Sequence, residues 1–166
     1  MKFFLSIITI GLSFMACSAQ GKTNSTINDF NKLQGNWKGS LTYLDYSSGK
    51  PYTMPADIKI EGIGTTNQYS FSNIYPNEPK ANSIDTFIVS VDGKLINKET
   101  VKSRRSLPNG DVEIITEEPG TDGNDNKSAI IRHTYTIGKF KFQILKEVQF
   151  IGDRKWIKRH DYSYSR

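Results

Sequence analysis

From Asn36 almost to Arg166 the chain alternates apolar and polar side chains with a period of two, and beyond Leu33 no stretch of about 12 residues repeats at helical spacing. The alternation predicts nine strands, at residues 36–46, 55–62, 67–75, 84–91, 94–104, 111–117, 128–138, 140–151 and 154–165. Between them lies turn chemistry: Ser48-Gly49-Lys50-Pro51, Asp92-Gly93, Pro108-Asn109-Gly110, Gly138-Lys139 and Gly152-Asp153. Short turns imply that sequential strands pair antiparallel. A sheet this large with open edges invites aggregation, so the expected architecture is all-β, an up-and-down barrel of 8–10 strands closing the last strand onto the first, with a short helical turn ahead of it. A β-sandwich is the alternative, because parity alone does not separate the two.

Parity also assigns an inner face. Phe140, Phe142, Ile144, Lys146, Val148 and Phe150 share one side of their strand, and Ala129, Ile131, His133, Tyr135 and Ile137 share one side of theirs. Leu95, Asn97, Glu99 and Val101 align against Lys94, Lys98 and Lys102, which draws Glu99 inward. Trp37, Leu41, Tyr43, Ile58, Ile60, Tyr69, Phe71, Phe87 and Val89 complete the interior. An aromatic lining with a few polar groups has the composition of a small-molecule site. Its expected residues are Tyr43, Tyr69, Phe71, Phe87, Glu99, His133, Tyr135, Phe142 and Lys146. Lys146 among apolar neighbours needs a counter-charge: either Glu99 supplies it inside a filled core, or a ligand carboxylate does. Glu99 and His133 also form a conceivable acid–base pair, but binding rather than catalysis is the expectation.

Composition narrows the classes. Hydrophobic residues make up 36% and aromatic residues 11% of the 166, enough for a core. The net charge of +5 is modest, and residues 139–166 alone hold eight basic against three acidic side chains, so nucleic acid is not an expected partner. Lys2 followed by the uncharged 13-residue run Phe3–Met15 has signal-peptide anatomy. Phe14-Met15-Ala16-Cys17 resembles a bacterial lipobox, which implies a lipid on Cys17 and attachment to the membrane. The expected organisation is a signal peptide at 1–16, a polar tether at 17–32 and a barrel domain at 33–166, exported to the periplasm or outer membrane; simple secretion is the alternative. Cys17 is the single cysteine, which excludes disulfides and thiolate chemistry from the mature domain, and no His, Asp or Glu spacing suggests a metal site.

Gly35-Asn36-Trp37, opening the first strand, resembles the G-x-W signature of lipocalins and related calycin barrels. The resemblance implies a lipocalin-like barrel holding a small hydrophobic molecule, with the indole plugging the closed end beneath a basic side chain of the final strand. Arg159 is the expected partner and Arg166 the other candidate. Nitrobindin-like barrels also open with G-x-W and ligate haem through a histidine of the last strand, which implies His160 and haem as an alternative cofactor to none. In a regular strand Arg159 and His160 cannot both point inward. A lipid-tethered module that binds another envelope protein through charged loops is the third reading.

Overall fold

The computed structural model describes residues 25–45 and 48–166; the expected signal peptide, Cys17 and the tether as far as residue 24 lie outside the described residues. One helix, α1 (Ser25–Asn31), precedes eleven strands: β1 (Gly35–Asp45), β2 (Lys50–Pro55), β3 (Asp57–Gly62), β4 (Gln68–Ile74), β5 (Ser83–Ile88), β6 (Leu95–Ile96), β7 (Glu99–Ser106), β8 (Val112–Asp122), β9 (Lys127–Ile137), β10 (Lys141–Phe150) and β11 (Ile157–Ser165). Their order across the sheet is β5-β4-β3-β1-β11-β10-β9-β8-β7-β6, antiparallel throughout. The last strand pairs with the first from Lys38↔Ser165 to Tyr43↔His160. The sheet's two ends meet in a tight hairpin, where Val89 bridges Ile96 and Asn97 N donates to Ile88 O at 2.7 Å. The result is a nearly closed antiparallel barrel.

Three strand predictions needed correction, the first being that the strand expected at 111–117 runs on to Asp122 as β8. Residues 50–55, for which the sequence predicts a turn at 50 and 51, no strand at 52–54 and the start of the next strand at 55, form β2 and pair with β1 alone. A strand with one unpaired edge tolerates residues that cannot donate to a ladder on that side. The 94–104 segment breaks into β6 and β7 because Asn97 takes the left-handed conformation (φ 55°). That turn inverts the parity ahead of it: Ile96 is buried while Leu95, expected inward, is 40% exposed. Glu99, beyond the turn, faces inward as expected.

The core gathers at the end where α1 docks. Phe30 of α1 packs against Tyr69, Phe87 and Tyr135. Asp29, also buried, receives Nε of Arg104 at 2.7 Å and Nζ of Lys32 at 3.0 Å. Residues 25–31, assigned by composition to the tether, therefore belong to the folded body. Trp37 lies below them, 1% exposed, donating from Nε1 to Leu33 O at 2.7 Å. Phe140, expected inside, is 62% exposed, because it belongs to the turn that precedes β10.

Candidate functional site

The inner faces of β9, β10, β11, β1 and β2 place one row of side chains at the same level: His133↔Lys146↔His160↔Tyr43↔Tyr52. Opposed residues of an antiparallel pair point to the same side, so parity on each strand and ladder register together build this row. On its far flank, β8 and β7 contribute Thr116 and Glu99. Glu99 is 7% exposed; its Oε2 accepts a hydrogen bond from Thr116 Oγ1 and stands 2.9 Å from His133 Nδ1. Lys146 is half-buried and has no acidic partner among the described residues, so the filled-core pairing with Glu99 does not occur.

One pleat nearer the Trp37 end lies a half-open cavity of about 190 Å³. Phe71 and Phe87, stacked with centroids 4.1 Å apart, form one wall, and Tyr135 and Ile144 form another. Glu99 and His133 border it on the side of the polar row, and Asn73 and Asp85 on the side of β4 and β5. Tyr162 and Tyr164 of β11 complete the lining. Burial pushes the Tyr135, Tyr162 and Tyr164 hydroxyls above the ordinary tyrosine range, with the Glu99 charge adding to Tyr135 and the Tyr75 hydroxyl, 3.0 Å away, adding to Tyr162. All three stay protonated and can donate.

Five of the nine expected ligand residues line this cavity: Phe71, Phe87, Glu99, His133 and Tyr135. Lys146 sits directly across from His133 and one pleat from Ile144. The other three lie elsewhere. Tyr69 is pinned in the closed-end core, its hydroxyl donating to Asn31 Oδ1 at 2.9 Å. Phe142 is buried between Trp37, Phe71 and Tyr164. Tyr43 lies in the row but borders a smaller cleft of about 90 Å³ with Pro51 and Arg159. Asn73, Asp85, Ile144, Tyr162 and Tyr164 were not among the expected ligand residues. Parity carried the signal, since Asn73 follows Tyr69 and Phe71 on one face and Asp85 precedes Phe87.

The basic cap of the indole is Arg166, not Arg159. Arg166 lies 4.1 Å over the Trp37 ring and donates to Gln34 O at 2.8 Å and Lys32 O at 2.9 Å. Arg159 is at the opposite end of β11, where its guanidinium meets Asp122 at 2.6 Å with both side chains under 10% exposed. A bulge explains the position: Lys146 pairs with His160 but Glu147 pairs with Lys158, leaving Arg159 as the extra residue. Arg159 is thereby buried while His160, the next residue, is exposed. His160 keeps contact with solvent, yet desolvation by the surrounding protein, then the Lys146 and His133 charges, hold it below the ordinary histidine value.

No protein-family model and no curated protein sequence matches the chain. Among solved structures, the crystal structure of Rv2717c from M. tuberculosis is similar, with a TM-score of 0.50 over 86% of this chain and 97% of that one, at 12% identity. The likeness is one of fold: a nearly closed antiparallel barrel.

Proposed function

We propose that the protein is a lipocalin-like carrier that holds a small, mostly apolar molecule of about one ring in the barrel, with an anionic end toward Lys146. The observation that carries this reading is a half-buried Lys146 without a carboxylate partner among the described residues, one pleat from Ile144 of an aromatic-lined cavity of about 190 Å³. A buried cation is costly unless paired, and a ligand anion offsets that cost with a charge-assisted hydrogen bond. Size selects the ligand. Drug-sized molecules occupy about 300 Å³ or more, whereas a cavity of about 150 Å³ accepts benzene. A long-chain fatty acid with its head at Lys146 has no room for its tail.

The same argument weighs against haem. His160 holds its proton loosely, which suits a ligating imidazole, but it is exposed and does not line the cavity, and a tetrapyrrole exceeds that cavity's volume of about 190 Å³. The interaction-module reading has less to support it, since Arg104 is held by the buried Asp29, while Arg105, paired with Glu113, stays largely exposed. We further propose that the carrier is exported and anchored through lipid on Cys17.

Calorimetric titration tests the binding. Benzoate binds the parent, hexadecanoate does not, and Lys146→Met weakens benzoate roughly 10–100-fold while leaving toluene unchanged, the range for one hydrogen bond to a charged group. Absence of binding by both benzoate and toluene refutes the carrier.

A further inference from the structure

We propose that His133, oriented by Glu99, accepts a proton from a weakly acidic hydroxyl of the bound ring, so that the site takes single-ring phenols and holds them as phenolates. The inference rests on the interior-binding reading above and adds a ligand class to it. Its basis is a hydrogen-bonded relay across three strands: Thr116 Oγ1 donates to Glu99 Oε2, and the same carboxylate oxygen stands 2.9 Å from His133 Nδ1. An ionised carboxylate only accepts, so the Nδ1 position carries a hydrogen and the lone pair of the neutral ring lies on Nε2. His133 makes no second hydrogen bond among the described residues, and its ring lines the cavity.

The surroundings favour an oxygen anion there. Lys146 of β10 lies directly across from His133, and His160 of β11 lies beyond it, with its proton affinity reduced. The buried hydroxyls of Tyr135, Tyr162 and Tyr164 remain protonated. Two carboxylates line the space, and the charge of Glu118 on β8 reaches Tyr135 as well. Glu99 is turned to Thr116 and His133, and Asp85, on β5, is held by Asn73 Nδ2 at 2.7 Å and Ser83 Oγ at 3.3 Å. A developing negative charge therefore belongs on the His133–Lys146 side.

A proton acceptor at this place has a use that a lysine alone does not supply. A carboxylic acid reaches the barrel already ionised, whereas a phenol enters the apolar cavity neutral. The ligand O–H bond then breaks, its electron pair stays on oxygen, and the proton forms an N–H bond at Nε2. The resulting imidazolium is balanced by Glu99 and the phenolate by Lys146, with no further reactant.

Titration with 4-nitrophenol and nitrobenzene, at a pH where free 4-nitrophenol is mostly protonated, tests this. The absorption band of the bound dye reports its protonation. The parent is expected to show the phenolate band. His133→Phe should bind nitrophenol in its neutral form and about 10-fold or more weakly, and the near-isosteric Glu99→Gln should shift the band the same way. Nitrobenzene titration of the parent shows whether the cavity takes a neutral ring, and cooperative thermal unfolding of each variant shows that it still folds. Neutral nitrophenol on the parent, or a phenolate band surviving in both variants, overturns the proton transfer while nitrobenzene binding leaves the carrier standing. If neither dye binds the parent, the interior-binding reading falls with it.

Discussion

Gly39 shows how narrowly single residues hold the barrel's closure. A Cβ at this position would stand 2.2 Å from the Ser163 carbonyl oxygen, a backbone atom of the strand that completes the barrel, so Gly39→Ala should force β1 and β11 apart. Loss of cooperative thermal unfolding is the expected result, and an unchanged midpoint would contradict the close approach. Trp37→Ala should cost about 3–5 kcal/mol in denaturant unfolding, the range for deleting a large buried aromatic. His160 supplies a pH dependence. Its pKa is lowered in the folded protein, so below about 6.5 the unfolded chain binds the proton first and stability falls with pH until the folded side chain also titrates. Replacing His160 with Gln should flatten that part of the stability profile. Period-2 reading found Glu99 inside for an incomplete reason: the alternation it relied on is interrupted at Asn97, and parity resumes only after the turn. The assignment of Arg159 to Trp37 came from the resemblance to calycin barrels, which names a basic residue of the final strand but not its level, and Arg166 rather than Arg159 lies at the level of Trp37.

Among the elements, β9, β10 and the first half of β8 were legible because apolar residues dominate one face of each, broken only by Thr116, His133 and Lys146; β8 runs on to Asp122 because Glu118, Gly120 and Asp122 carry no apolar signal. The short elements were less so. In β2 two prolines outweigh the alternating Tyr52 and Met54, and only its place beside β1 makes them tolerable. For α1, seven residues are too few to form a stable helix alone, and its sequence is small and polar apart from Ile27 and Phe30. Tertiary packing makes the difference, since Phe30 fills the space between Tyr69, Phe87 and Tyr135. Phe30→Ala should therefore cost about 3–5 kcal/mol, and hydrogen exchange should rise across residues 25–33 as the helix undocks. Protection equal to the parent's would mean that the helix holds without its anchor.

For the whole molecule, the barrel class was readable because meander topology needs only strands, turns and a closing pair. The cavity was not. Its position depends on shear, which brings Phe71, Phe87 and Tyr135 together while leaving Tyr69 and Phe142 in the packed end, and no local pattern encodes that stagger. Attachment through Cys17 predicts that Cys17→Ser moves the protein from the membrane fraction to the soluble one; unchanged partitioning would contradict lipidation. The central claim, that the interior holds a small ring with its charge at Lys146, is tested most directly by a heteronuclear NMR titration with benzoate. The account predicts saturable shifts confined to Phe71, Phe87, His133, Tyr135 and Lys146 and their neighbours. Shifts only on the outer surface, or none at all, would contradict it.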